Sequence, residues 1–227
     1  MTIFQFALIR SLRKKSTLVA LFIVPLIMVF IRPLWVLETG TGFLFYGLIL
    51  LFAAFSLVRL IMTDRVTGTA VRIFAAPITT RQYLSQNLLA FWMITSIQTV
   101  VLVVIGAVLY KWEIEMAVWL FLSYSIFSAT CIVFSMAWNS LFRSKIMSDA
   151  VFSIVISFMG MLGGIFIPLP MLPEVLRKIG MLFPTYWFTN SLLALQEGIM
   201  GEYWLSIFIM VLFSIVFLLY GSKRRFE

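Results

Sequence analysis

Histidine is absent from this chain, and cysteine occurs once, as Cys131. Without histidine the commonest metal ligand and the commonest proton shuttle are missing. The zinc-hydrolase pattern His-Glu-x-x-His cannot be written. One cysteine forms no intrachain disulfide, and inside an apolar run Cys131 reads as a small packing residue. Two further motifs are missing. The phosphate-cradling Gly-x-x-x-x-Gly-Lys-Ser/Thr is not present, so the chain does not bind ATP in that way. Gly-x-Ser-x-Gly is not present either, which with the missing histidine argues against an intramembrane hydrolase. Charge is scarce as well: charged residues are 11% of the 227, too few for a soluble domain of this length.

Apolar residues fill the space, at 63% of the chain, and the mean hydropathy is +1.09. A bilayer-crossing helix needs roughly 20 mostly apolar residues. Six runs qualify, at about 16–36, 43–63, 88–110, 116–138, 149–168 and 203–221. They consume more than half the chain, so residues 1–227 are expected to form a single all-α membrane domain. The first cationic cluster precedes a run long enough to span, with no small-residue cleavage site after it. That run is expected to stay as an uncleaved anchor.

Charge asymmetry orients the spans. With both termini in the cytoplasm, 13 cations fall inside: Arg10, Arg13, Lys14, Lys15, Arg59, Arg65, Arg72, Arg81, Arg143, Lys145, Lys223, Arg224 and Arg225. Only 4 fall outside, namely Arg32, Lys111, Arg177 and Lys178. Glu38, Glu113, Glu115, Glu174, Glu197 and Glu202 also lie outside. The expected location is therefore the cytoplasmic membrane, multi-pass, with both ends inside. The net charge of +8 is accounted for by cations meeting the anionic inner leaflet rather than nucleic acid. Arg59, near the inner end of the second run, is expected to snorkel.

Residues 1–15 hold an amphipathic interfacial helix, over about 2–14. Phe4, Leu8 and Leu12 share one face, with Arg10, Arg13 and Lys14 opposite. Pro25 is expected to kink the first span. The longest inner segment is 64–87. Gly68 breaks the second run, a short helix at about 69–76 ends at Pro77, and Thr79-Thr80 can cap the next helix. Val71, Ile73 and Phe74 give that short helix apolar surface beside Arg72. The surface packs either on this chain's own helices or on a cytoplasmic partner, and the residues alone leave both open.

Between the fifth and sixth runs, residues 168–200 are rich in proline yet very apolar, with Pro168, Pro170, Pro173 and Pro184. Two short helices, at about 172–180 and 185–198, dipping into the outer leaflet would suit both facts. Irregular backbone at that depth needs protein or a water-filled cavity around it. An interfacial loop anchored by Tyr186 and Trp187 is the other possibility. On the first view Pro168, Pro173, Pro184, Tyr186 and Trp187 form an outer gate.

The spans carry no acid away from their ends, since Asp64 and Asp149 sit at inner ends. Ion-driven carriers place ionisable groups within the membrane. Energy for uphill movement must then come from another polypeptide.

The ordered set of features resembles a type-2 ATP-binding-cassette (ABC) transporter permease over nearly the whole chain. Those features are a basic interfacial helix before six spans, Gly68-Thr69 followed by Arg72 and Pro77, a proline-rich outer segment from Pro168 to Pro184, and a short cationic tail. The resemblance implies that the loop after the second span carries a coupling helix seated in a cleft of a cytosolic ABC ATPase. ATP and Mg would be bound by that partner, with no cofactor in this chain. It also implies a second permease, a copy or a paralogue, and a pathway between the two in which the first, second and fifth spans are prominent. Gly68, Thr69, Arg72 and Pro77 match the coupling motif, and Arg65 and Phe74 flank it. The family's usual acid/base cluster before Gly-Thr shrinks here to Asp64-Arg65-Val66-Thr67. The implied function is export of an amphipathic substrate such as a drug, an antimicrobial peptide or a lipid-like compound. An autonomous channel or secondary carrier, or a non-transporting immunity or scaffold protein, are the alternatives.

Overall fold

A computed structural model describes residues 3–13, 19–36, 40–69, 73, 75, 78–142 and 144–223, and all regular structure among them is helical. Helix α1 (Ile3–Arg13) is followed by a π-helical turn (Val19–Ile23), α2 (Val24–Val29) and α3 (Pro33–Val36). Then come α4 (Thr41–Val66), α5 (Thr80–Tyr110), α6 (Ile114–Leu141) and α7 (Lys145–Leu162). A 3-10 turn (Leu169–Met171), α8 (Glu174–Gly180), α9 (Pro184–Glu197) and α10 (Met200–Lys223) complete the order.

Five helices, α4, α5, α6, α7 and α10, are long and apolar enough to cross a membrane. The first apolar run is not one long helix over its described part. Pro25 lacks an N–H and cannot complete an α-helical ladder. The π-helical turn lies directly before it, and the chain turns again at Phe30–Arg32 before Pro33 starts α3.

Helix α6 is the centre of the bundle, packed by α4, α5, α9 and α10. Its buried face mixes Phe127, Ile132 and Met136 with Ser123, Ser125, Ser128, Thr130 and Ser135. Small hydroxyl residues let helices approach closely in a membrane. Most of these hydroxyls find partners. Ser128 Oγ donates to the Ser125 carbonyl (2.9 Å) and accepts from Thr95 (3.2 Å), and Ser123 bonds the Tyr203 hydroxyl (3.1 Å). Tyr46 of α4 hydrogen-bonds Thr99 of α5 (3.0 Å) and meets Tyr124 of α6 edge-on.

At one end an aromatic cluster joins four elements. Trp35 packs edge-on against Phe43 (5.1 Å between centroids) and beside Trp112 (5.6 Å) and Tyr110 (6.5 Å). The Tyr110 hydroxyl donates to the Val29 carbonyl (2.6 Å), and Trp35 Nε1 donates to the Met28 carbonyl (2.9 Å). Gly106 sits under the Trp112 ring, which lies 2.4 Å from where a Cβ would be.

Helix α7 packs less closely on α4 than α5 and α6 do, and its nearest backbone neighbours are α8 and α9. It meets the bundle along a buried stripe of Ser148, Phe152, Ile156 and Met159. Within it, Phe152 stacks on Phe55 at 3.5 Å and touches Phe134 and Trp138.

Candidate functional site

The end of α4 is the base of the expected coupling loop, and it collects side chains from four other helices. Asp64 is buried at 7% exposure. It pairs with Arg10 of α1, and the Tyr83 hydroxyl of α5 donates to its Oδ2 at 2.7 Å. Arg65 is half-buried, with its Nη1 donating to the Asn139 carbonyl at the end of α6 (3.2 Å). Lys145 at the start of α7 reaches Thr63 Oγ1 (3.5 Å). One turn further into the span, Arg59 pairs with Asp149 of α7 at 2.7 Å, each side chain about a third exposed. Arg59 is thus an interhelical partner.

Helix α1 is positioned for this by its own pattern. Ala7 and Ser11 are fully buried, with Ile3, Phe4 and Leu8 half-buried beside them, and the helix packs on α5. The Phe4 N–H donates to Gln86 Oε1 (3.1 Å). Phe4 and Leu8 share the buried face as expected, but Leu12 does not, being 44% exposed together with Phe6 and Ile9. Arg10, expected among the outward cations, turns in because Asp64 offers it a carboxylate in a place where water is excluded. An isolated acid there would be costly, and a paired one is tolerable.

The chain leaves α4 through Thr67 and Gly68. The Gly68 φ is +72°, the left-handed region that glycine enters without cost, and this matches the usual closing of a helix by glycine. The Gly68 N–H bonds back to the Arg65 carbonyl (3.3 Å). The Thr67 hydroxyl pairs with that of Thr69 (3.0 Å). Arg72, Phe74 and Pro77 lie outside the described residues. The next helix begins as expected: Thr79 is its N-cap, accepting from the Gln82 N–H (3.2 Å), while Gln82 Oε1 accepts from the Thr79 N–H (3.1 Å). Asn139 lines a cavity of about 20 Å³ bordered by Arg65, Met62 and Gly221, enough for one water, and its buried Nδ2 has no protein partner.

At the other end, two short helices, α8 and α9, stand where the outer helices are expected, with slightly shifted bounds. Each proline starts something: Pro168 precedes the 3-10 turn, Pro173 is the N-cap of α8, and Pro184 is the first residue of α9. Pro184 is buried, whereas Pro168 and Pro173 are exposed. Gly164, with φ +84°, ends the stretch after α7, and Thr185 Oγ1 donates to the Met159 carbonyl (2.7 Å). Helix α7 therefore stops at Leu162, short of the expected 168.

Tyr186 is buried against Leu169 and Leu172, and Trp187 packs on it edge-on at 5.3 Å. Trp187 Nε1 donates to the Met181 carbonyl (2.8 Å). Burial raises the Tyr186 phenol pKa. Arg177 opposes that shift and Glu202 adds to it, so both charges act on the ring. Deeper still, Phe188 is fully buried and stacks on Phe127, with centroids 4.1 Å apart. Phe127 is the fourteenth of the 28 residues of α6, so α9 enters the bundle at the level of that helix's midpoint. Gly47 of α4 makes room, since a Cβ there would lie 2.2 Å from the Phe188 ring.

The sequence patterns did not disclose Arg10–Asp64–Tyr83, Arg59–Asp149 or Phe188–Phe127. The one available signal was that Asp64 is the lone acid in a cationic inner segment. Among the described residues no group of acids, cysteines or histidines could hold a metal.

Residues 36–223 match the family model described as ABC-2 family transporter protein. No curated protein matches the chain. The match spans most of the sequence, and the chain belongs to the ABC-2 transporter family.

Proposed function

We propose that this ABC-2 family chain, a multi-pass membrane permease, is the translocation subunit of an exporter in the cytoplasmic membrane, driven by a separate ATPase. The first run serves as a sixth span, broken at Pro25, and both termini are cytoplasmic. The loop from Gly68 to Pro77 docks on a cytosolic ABC ATPase, which holds ATP and Mg. Two permeases, identical or paralogous, enclose the pathway. Helices α8 and α9 re-enter the outer leaflet and close the exit, a view supported by the stacking of Phe188 at the level of the α6 midpoint.

One observation carries the coupling assignment. The helix that ends at Gly68 is tied by Asp64, Arg65, Thr63 and Arg59 to α1, α5, α6 and α7 at once. A displacement of the loop is therefore delivered to five helices, which is what a receiver of ATPase motion requires. Packed elements shift between discrete arrangements rather than bending smoothly. The substrate is amphipathic, a reading supported by the chain's wealth of aromatic residues, 23 Phe among them.

The test is Arg72→Glu in the chain co-expressed with its ATPase. Lost co-purification and lost stimulation of hydrolysis are expected. Wild-type values for both would remove this loop from the mechanism.

A further inference from the structure

A cleft of about 290 Å³ opens between α8, α9 and the start of α10. Its polar lining is Arg177, Tyr186, Asn190, Glu197 and Glu202. The charges are of both signs and do not neutralise one another: among the described residues, Arg177 forms no ion pair with Glu197 or Glu202. Neighbouring Lys178 is occupied by Glu174 at 2.7 Å. Tyr186 is only 7% exposed as a residue, and its hydroxyl makes no hydrogen bond among the described residues. Asn190 is held in place by donating from Nδ2 to Ser206 Oγ (3.0 Å). A guanidinium, two carboxylates and a tyrosine hydroxyl thus line one cleft.

The geometry points to a zwitterion-binding site, and to the phosphoethanolamine headgroup of a lipid as its occupant. Arg177 supplies the fork-shaped donor set that suits a phosphate. Glu197 and Glu202 supply acceptors for a primary ammonium. The volume lies at the low end of the range for small-molecule pockets, which suits a headgroup rather than a drug-sized body. The surroundings favour a lipid over a free solute. Met171 and Leu182, next in sequence to the lining residues Pro170 and Met181, are 76% and 71% exposed, apolar surface on which acyl chains can lie. Phosphatidylglycerol offers the phosphate without the ammonium. Phosphatidylcholine offers an ammonium that cannot donate hydrogen bonds.

Native mass spectrometry of the full-length chain in detergent tests this, with phosphatidylethanolamine, phosphatidylglycerol and phosphatidylcholine as competing probes. Phosphatidylethanolamine is expected to be retained over the other two. Arg177→Gln and Glu202→Gln are each expected to weaken its retention about tenfold, the loss of one charge-assisted hydrogen bond. Tyr186→Phe is expected to weaken retention while leaving thermal stability unchanged, because its hydroxyl has no hydrogen-bond partner among the described residues. Equal retention of phosphatidylethanolamine and phosphatidylglycerol would overturn the proposal, as would unchanged retention in both charge variants. Displacement by water-soluble phosphoethanolamine at matched concentration would assign the site to a solute and overturn the lipid assignment. None of these measurements depends on transport or on an ATPase.

Discussion

The Tyr83 hydroxyl donates to Asp64 Oδ2 at 2.7 Å across α5 and α4, on the same carboxylate oxygen that pairs with Arg10. Three helices thus meet on one buried acid, directly before the turn at Gly68. Asp64→Ala leaves Arg10 without its partner and is expected to cost about 3 kcal/mol, the loss seen when one half of a buried pair is removed. Tyr83→Phe removes one donor and is expected to cost about 1 kcal/mol. Thermal unfolding of the purified chain in detergent ranks the two, and an Asp64→Ala protein as stable as wild type would show that the pair adds nothing.

Phe188 and Gly47 are matched in shape, with the ring filling the space that a Cβ would occupy. Gly47→Ala is expected to destabilise by about 1–3 kcal/mol through overpacking. Phe188→Ala is expected to cost about 3–5 kcal/mol through the cavity it leaves. The double variant should cost less than the sum, since the alanine methyl enters the space vacated by the ring. Strict additivity in a double-mutant cycle would mean the two positions are not in contact.

Gly68 has open space around its Cα, so a side chain there meets no atom but must adopt φ +72°. Gly68→Ala is expected to cost only about 1 kcal/mol, from backbone strain alone. Gly68→Pro also removes the N–H that bonds to Arg65 and should unravel the last turn of α4. Hydrogen exchange at residues 63–67 separates them: slow in the alanine variant, fast in the proline variant.

Cys131 is 1% exposed in the middle of the bundle. A membrane-permeant maleimide is expected to leave it unmodified in the folded chain and to label it on unfolding. Rapid labelling of the folded protein would place it on a surface. In a Cys131→Ala background, a cysteine at Glu174 should react with an impermeant reagent applied to intact cells. One at Thr67 should react only after permeabilisation. The reverse pattern would invert the topology.

Local chemistry was legible in the sequence wherever one stretch of chain determines the outcome. Thr79 and Gln82 form a capping box whose parts are three residues apart, so the start of α5 could be read directly. The prolines at 173 and 184 begin α8 and α9 close to the expected bounds. Five of the six apolar runs are long helices, because hydrophobic length needs no partner to be recognised. Pairings between distant residues were not legible. Arg10 and Asp64 are 54 positions apart, and nothing within α1 distinguishes Arg10 from Arg13. Phe188 is one of 23 phenylalanines, and its place against Phe127 follows from how α9 inserts, not from its neighbours in sequence. Leu12 failed for a related reason: α1 carries apolar residues on more than one side, so periodicity admits several inward faces. Of the six expected coupling residues, Arg65, Gly68 and Thr69 lie at the base of the loop, and Arg72, Phe74 and Pro77 fall outside the described residues.

Helix α7 is held along its length, with Ser148, Phe152, Ile156 and Met159 forming a buried stripe. Phe152 is its broadest single anchor, gathering Phe55, Phe134 and Trp138 around one side chain. Among the described residues its ion pair, Arg59 to Asp149, touches solvent and adds little to that hold. The grip on α7 therefore comes from close-fitting apolar and small side chains, so even a one-carbon change along the stripe should be felt at its far end.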